Sequence, residues 1–185
     1  YKALEDLYKE GILKSIGISN FYPDRVIDLA SFCRIPPMIN QIELHPFNQQ
    51  NEAIKWNEKY GIKVEAWAPF GEGRNGMFEN PVLKEIGAKY NKTAAQVILR
   101  WHLQRGTIII PKSTHIERMR ENFDVFDFTL SAEDMDKINS LDLNKSSFFS
   151  HTDPKMVEWF VSMVEERKKG HESVKTEKAT RPWGD

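Results

Sequence analysis

The chain has 185 residues, of which 40% are hydrophobic and 11% aromatic, so it is long enough to bury the core of one globular domain. Its 26 basic and 27 acidic residues give a net charge of −1, which attracts no polyanion and argues against a nucleic-acid partner. We expect no membrane partner, because no apolar run approaches the ~20 residues of a spanning helix. The single cysteine, Cys33, is expected to be a packed thiol in a reducing, cytoplasmic compartment.

The first residues predict a helix, and the chain is expected to begin inside it. Leu4, Leu7 and Tyr8 share one helical face ahead of Gly11, a residue that favours a helix C-terminus. The chain starts with Tyr1 rather than methionine. We therefore expect the parent protein to have residues upstream of Tyr1.

After Gly11, short apolar strands alternate with longer helical patterns. The predicted strands cover residues 15–19, 38–42, 63–67 and 107–110. Helices are predicted to start at Pro23, at Pro81 behind the cap Asn80, and after Thr93, which has Gln96 three residues on and so predicts a capping box. This alternation predicts an α/β fold with a parallel sheet; a mixed open sheet is the alternative.

The last third of the chain is predicted to be helical and then polar. Ser131 is expected to cap one helix and Pro154 to open another. Beyond Glu165 the residues are mostly polar, with Trp183 the one large apolar side chain near the end. Because so little apolar surface is available for packing, we expect this tail to be mobile.

Residues 107–123 carry a chemical signal. The β-branched run 108–110 predicts a buried strand that Pro111 ends, which leaves Lys112 and Ser113 at the carboxyl end of that strand. Parallel α/β folds place their chemistry at this edge of the sheet.

A helix is predicted to follow at once, with Thr114 as its N-cap, Glu117 completing a capping box and Arg118 one turn in. Free N–H groups at a helix start, together with Lys112 and Arg118, favour a dianionic phosphate. The alternative is a solvated basic turn in front of an ordinary surface helix.

Polar or flat side chains also follow the other predicted strands. Ser19, Asn20 and Gln41 offer donors and acceptors that suit a carboxamide, and Trp67 offers a face on which a planar ring can stack. The alternatives are a turn for Ser19 and Asn20, an amide tying strands together for Gln41, and core packing for Trp67.

Five stretches stand out together, in this order: EGILKSIGISNF, INQIELHPF, EAWAPFG, TAAQVILRWHLQRG and IIIPKSTHIERMRENFDVFDFTLSAEDM. Their order and spacing resemble the second half of an aldo-keto reductase. The resemblance covers residues 1–142 and implies the second half of a (β/α)8 TIM barrel, strands five to eight, with parallel strands alternating with helices. Residues 143–185 would form a C-terminal segment of helices and tail that shapes the substrate pocket.

The resemblance implies an NADPH site. The family positions that hold and stack on the nicotinamide correspond to Ser19, Asn20, Gln41 and Trp67, the last being usually a tyrosine. The positions around the 2′-phosphate and the adenine correspond to Lys112, Ser113, Thr114, Arg118, Glu121 and Asn122. Two cations at the phosphate favour NADPH over NADH.

The family's catalytic aspartate, tyrosine, lysine and histidine lie in the first half of its barrel, so we expect no catalytic residue and no metal site in this chain. The resemblance implies the cofactor-binding half of an NADPH-dependent oxidoreductase that reduces an aldehyde or ketone. The alternative is a non-catalytic NADP-binding module or scaffold. The missing half, or a second copy of the chain, would cover the two exposed sheet edges.

Two further expectations concern loops and histidines. The glycine-containing loop 71–80 is expected to close over the cofactor as a lid. We expect His45 to be a structural loop residue and His102 to lie on a helix face or at the surface.

Overall fold

The computed structural model describes residues 1–178, with side chains described as far as residue 168. Trp183 and the end of the predicted tail lie outside the described residues. The chain divides into two units, of which the first is Tyr1–Ser147 and the second begins at Phe148.

The first unit contains a sheet of four parallel strands in the order β1-β2-β3-β4. The strands are β1 (Gly17–Ser19), β2 (Ile39–Glu43), β3 (Lys63–Trp67) and β4 (Ile108–Ile109). Ser19 pairs with Gln41, and Glu43 pairs with Trp67, so the carboxyl ends of the strands lie at one edge. The predicted parallel α/β sheet is confirmed.

Helices separate the strands and follow the last of them. They are α1 (Lys2–Lys9), α2 (Pro23–Phe32), α3 (Asn51–Lys59), α4 (Pro81–Tyr90), α5 (Ala94–Gln104), α6 (Ile116–Phe123), α7 (Ala132–Asn139) and, in the second unit, α8 (Pro154–Lys178). An irregular 3₁₀ segment, Gly71–Glu79, links β3 to α4. Several of its residues have left-handed backbone angles, which is why it forms no regular helix.

Three predicted helix starts are confirmed by their caps. The Asn80 side chain accepts hydrogen bonds from the backbone N–H groups of the first turn of α4, and the Ser131 side chain accepts one in α7. Thr93 and Gln96 form the reciprocal capping box of α5. These polar residues therefore fix where α4, α5 and α7 begin.

The core of the first unit packs helices against β2 and β3. Ile42 and Ala66 from these strands belong to one buried cluster with Leu83 of α4, Ile98 of α5 and Ile138 of α7. Burying each such aliphatic side chain stabilises the fold by about 1.5–3 kcal/mol. This packing holds the strands from which the site residues project.

Two predictions for the segment after α5 are wrong. Thr114 does not cap α6: His115 holds the N-cap position, with no side-chain cap, so the helix begins at Ile116, one residue later than predicted. The Ser113 hydroxyl accepts the His115 N–H at 3.1 Å, and this local turn delays the start of the helix. The run 108–110 is not a buried strand either: β4 has two residues, and Ile110 is 49% exposed. Among the described residues, β4 pairs only with β3 and forms an edge of the sheet.

The second unit contains α8, which starts at Pro154 as predicted. The helix continues past Glu165, where the sequence becomes polar, and runs to Lys178. The mobility of this tail stays a prediction. No residue of this helix is buried as far as residue 168. Glutamate, lysine and arginine have high helix propensity, which favours a helix there even without a buried face. None of the described helices is long and apolar enough to cross a membrane.

Candidate functional site

A cavity of about 650 Å³ opens beside the loop that follows β4. Its walls come from the loops after β3 and β4 and from α4, α5 and α6. Six of the predicted site residues line it: Lys112, Ser113, Thr114, Arg118, Glu121 and Asn122. The structure therefore places these residues at one concave surface, although Thr114 arrives there without capping the helix.

Lys112 and Arg118 differ from the lysines Lys84 and Lys92 of the same cavity in their ion pairs. No ion pair to Lys112 or Arg118 is found within residues 1–168. By contrast, Lys84 pairs with Glu79, and Lys92 pairs with two aspartates at 2.8 Å each. An anion entering the cavity would therefore meet two cations that need not give up a carboxylate partner.

The four remaining predicted residues meet at the ends of β1, β2 and β3. Trp67 donates its indole N–H to Oδ1 of Asn20 at 2.7 Å, and the Ser19 hydroxyl donates to the carbonyl oxygen of Gln41 at 3.0 Å. Asn20 takes a left-handed conformation with φ of 59° and donates its backbone N–H to the same carbonyl at 2.9 Å. The ends of three neighbouring strands thus form one hydrogen-bonded group.

The structure bears on the alternative roles of Gln41, as an amide that ties strands together, and of Trp67, as a core residue. Gln41 donates its side-chain amide to Oε1 of Glu65 at 2.5 Å, so it ties β2 to β3, as its alternative proposed. Within residues 1–168, the side-chain oxygen of Gln41 accepts no hydrogen bond, so it can accept one from a ligand. Trp67 is only half-buried, so core packing does not account for its whole ring.

Phe70 extends the wall of the cavity towards the end of β3. It lies three residues after Trp67, lines the cavity, and packs against Phe78 of the 3₁₀ segment with ring centroids 5.5 Å apart. Phe78 also lines the cavity, while Met77 beside it is buried in the core. The predicted loop 71–80 therefore contributes to the cavity, and its role as a lid stays a prediction.

Glu43, at the end of β2, carries a buried carboxylate. This carboxylate accepts hydrogen bonds from three neighbouring residues. Its oxygens accept from Nε2 of His45 at 3.0 Å, the Ser146 hydroxyl at 2.5 Å and the Ser147 N–H at 2.8 Å. Burial alone would raise the pKa of this carboxyl, but the hydrogen bonds outweigh burial and hold it below its usual value. His45 is buried and structural, as predicted.

His102 lies on helix α5, the first of the two expected positions, and not at the surface. Its ring is fully buried, and Nε2 lies 3.4 Å from the carbonyl oxygen of Pro69. Burial lowers the pKa of His102 to about 3, which keeps the ring neutral at physiological pH. The sequence pattern of α5 does not predict the burial of His102, because this helix is buried on more than one side.

Two tyrosine hydroxyls are committed to structural bonds. Tyr1 donates to the carbonyl oxygen of Ile35 at 3.0 Å, and burial raises the pKa of Tyr1 to about 12. Tyr90 donates to Asp134 at 2.6 Å. Neither residue lines the cavity, and the raised pKa of Tyr1 does not suit a proton donor at neutral pH. Within the described residues, no group of His, Cys, Asp and Glu side chains is arranged to hold a metal ion.

The sequence interpretation missed eight residues of the cavity wall: Phe70, Phe78, Lys84, Lys92, Thr93, Ala94, Ala95 and His115. The sequence predicted Thr93 only as a cap of α5, and a cap does not indicate a contact with a neighbouring helix. Its hydroxyl donates to Oε1 of Glu121 at 2.5 Å and so links α5 to α6. The pattern of charges could have flagged Lys92, but its partners lie more than thirty residues away.

A parallel α/β unit with a cavity at the carboxyl edge of its sheet, lined by cations, is typical of a class of ligand-binding and catalytic proteins. The model of the Aldo/keto reductase family matches residues 1–143, so this chain belongs to the aldo-keto reductase family.

Relatives from bacteria support the family assignment. The chain is 49% identical over 144 residues to the uncharacterized oxidoreductase YtbE of Bacillus subtilis, which covers 78% of this chain and 51% of that protein. It is 42% identical over 145 residues to the methylglyoxal reductase DkgA of Escherichia coli, which covers 78% of this chain and 53% of that protein. The chain therefore spans about half the length of the curated relatives it matches.

Solved structures show the same fold. An aldo-keto reductase from a Medee basin deep-sea metagenome library superposes with a TM-score of 0.80 at 39% identity, over 83% of this chain and 57% of that one. An aldo-keto reductase of Bombyx mori in complex with NADP gives 0.75 at 36% identity, over 82% of this chain and 52% of that one.

Proposed function

We propose that this chain binds NADPH and is the cofactor-binding part of an oxidoreductase that reduces an aldehyde or ketone to an alcohol. The observation that carries the proposal is the cavity that gathers Lys112, Ser113, Thr114, Arg118, Glu121 and Asn122. The methylglyoxal reductase name of one relative and the NADP in the Bombyx mori structure support the reaction class and the cofactor.

The β4–α6 side of the cavity suits the adenosine end of the cofactor. Lys112 and Arg118 would hold the 2′-phosphate, because both line the cavity without a carboxylate partner among the described residues. Ser113 and Thr114 add hydroxyl groups on the loop between them, and Glu121 and Asn122 would contact the adenine. Charge-assisted bonds of this kind are the strong ones at a phosphate site.

The ends of the other strands suit the nicotinamide. Ser19, Asn20 and Gln41 would orient the carboxamide, and Trp67 would stack on the ring from a position fixed by its bond to Asn20. NADPH bound there supplies a hydride to the carbonyl carbon of the substrate. These residues bind and orient, and none of them is placed to donate the proton.

We further propose that the chain corresponds to the second half of the (β/α)8 barrel, residues 1–142, followed by a substrate-pocket segment, residues 143–185. The catalytic aspartate, tyrosine, lysine and histidine would then belong to the other half. A coverage of about half the length of the relatives supports this assignment. The half that carries them, or a second copy of the chain, would cover the edges left by β1 and β4. A cytoplasmic setting completes the proposal, since Cys33 is the one cysteine.

A second candidate function is a non-catalytic NADP-binding module. The commitment of the Tyr1 and Tyr90 hydroxyls to structural bonds favours it for the chain acting alone. The two functions separate in an assay of carbonyl-dependent NADPH oxidation: the module binds NADPH with no turnover, and the reductase turns over once the other half is present.

The test of the cofactor assignment compares Lys112→Ala and Arg118→Ala with Arg120→Ala. Arg120 lies on the same helix and lines a different surface, so it is a matched loss of charge. Removing one charge-assisted contact costs about 1.5–3 kcal/mol, so each site variant should weaken NADPH binding by about tenfold or more and leave NADH binding nearly unchanged. Arg120→Ala should preserve the preference for NADPH. An unchanged preference in both site variants would contradict the proposed phosphate site.

A further inference from the structure

We propose that Thr93 is a positioning residue for adenine recognition: its hydroxyl holds the Glu121 carboxylate in the orientation that accepts a hydrogen bond from the exocyclic amine of the base. The proposal rests on the proposed function, since it concerns the same cavity. It assigns to the first turn of α5 a role that its capping pattern alone does not predict.

Helix α6, which carries Arg118, Glu121 and Asn122, is not fixed by packing. None of its residues is buried, and its apolar side chains Met119 and Phe123 are exposed. A helix with no buried face gains little from the hydrophobic effect. Its position over the cavity must therefore depend on polar contacts.

Those contacts come from three neighbouring residues at the start of α5. Lys92 donates to the carboxylate of Asp124, the C-cap of α6, at 2.8 Å. Gln96 donates to the carbonyl and the carboxylate of Asp124 at 2.7 and 3.0 Å. Thr93 donates to Oε1 of Glu121 at 2.5 Å. The residues that cap α5 thus also hold the end of α6.

The capping box fixes the direction of the Thr93 hydroxyl. Its oxygen accepts the backbone N–H of Gln96 at 3.3 Å, so the single hydroxyl proton is left for Glu121. Oε1 of Glu121 is then occupied, while Oε2 has no hydrogen bond or ion pair to a side chain within residues 1–168. Because Glu121 lines the cavity, this second oxygen is the acceptor offered to a ligand.

An acceptor at this position selects one kind of base. Adenine carries an amine, which donates, where hypoxanthine carries a carbonyl oxygen, which can only accept. A carboxylate oxygen therefore favours adenine, and facing the hypoxanthine carbonyl would leave two acceptors opposed. The preference depends on Thr93, because without its hydroxyl Glu121 can turn away from the base.

The experiment measures the affinities of adenosine 2′,5′-bisphosphate and inosine 2′,5′-bisphosphate for the whole chain by calorimetry. The wild-type chain should prefer the adenosine compound by about tenfold or more, the size of one charge-assisted hydrogen bond. Thr93→Val should reduce that preference to within about threefold. Thr93→Ser, which keeps the hydroxyl, should retain it, and Glu121→Gln should abolish it.

The ratio of the two affinities separates positioning from stability. Thr93→Val also removes a helix cap, which costs about 1 kcal/mol, but a partly unfolded fraction lowers both apparent affinities equally and cancels in the ratio. Ser131→Ala is the matched control: it removes the cap of α7, outside the cavity, and should lower stability without changing the ratio.

The outcomes distinguish this inference from the function on which it rests. If Thr93→Val kept the full wild-type preference, or if the wild-type chain bound both compounds equally, the role of Thr93 would be overturned and the phosphate site would stand. If the wild-type chain bound neither compound, the proposed NADPH site itself would be contradicted.

Discussion

Replacing Asp134 with asparagine should destabilise the first unit and remove part of its acid sensitivity. The carboxylate is buried on α7 and accepts from Lys89 at 2.5 Å, from Tyr90 at 2.6 Å and from Ser131 at 2.9 Å. Burial alone would raise the pKa of Asp134, but these hydrogen bonds outweigh it and lower the pKa from 3.8 to about 2. A depression of this size corresponds to about 2 kcal/mol of stability at neutral pH.

The sign of the pH dependence follows from the depressed pKa of Asp134. Above the unfolded-state value of 3.8 the contribution is complete, and it is lost as the pH falls towards about 2, because only the unfolded chain takes up the proton in that window. Urea unfolding at pH 7 and at pH 3 measures it. Asp134→Asn should lose about 2–3 kcal/mol at pH 7 and show a shallower fall between the two pH values. The exposed neighbour Asp136→Asn is the control, and equal pH dependence in Asp134→Asn and the wild type would refute the reasoning.

Two further substitutions test the frame of the site. Gly87→Ala should lower the melting temperature even though alanine favours helices, because the added Cβ would lie 2.4 Å from the backbone carbonyl oxygen of Lys92. An unchanged melting temperature would mean that the turn between α4 and α5 can move to accommodate the added Cβ. Glu43→Gln should speed amide hydrogen exchange at Ser147, because the neutral amide would place an N–H₂ donor beside the Ser147 N–H and the His45 ring, which both donate to Glu43. Exchange at the wild-type rate would show that other contacts hold Ser147.

Local chemistry predicted a large part of the fold. The limits of β3 were predicted to the residue, and the caps Asn80, Thr93 and Ser131 were found, because these signals depend on residues only a few positions apart. The start of α6 was missed because Ser113 offers a competing local turn, which the spacing of Thr114 and Glu117 does not reveal.

Long-range contacts set the limit of prediction. The exposure of Ile110 depends on β4 lying at a sheet edge, and the burial of His102 depends on the helices around α5. The bond between Thr93 and Glu121 joins residues 28 positions apart, so no periodicity could indicate it. The candidate site was predictable as a set of residue types at strand ends, whereas the contacts that orient those residues required the structure.

The most direct test of the proposed function is a crystal structure of the chain with NADPH. The account predicts the 2′-phosphate within hydrogen-bonding distance of Lys112 and Arg118, with the adenine amine beside Glu121 and the nicotinamide against Trp67. A nucleotide bound elsewhere, or a 2′-phosphate directed into solvent away from both cations, would contradict it.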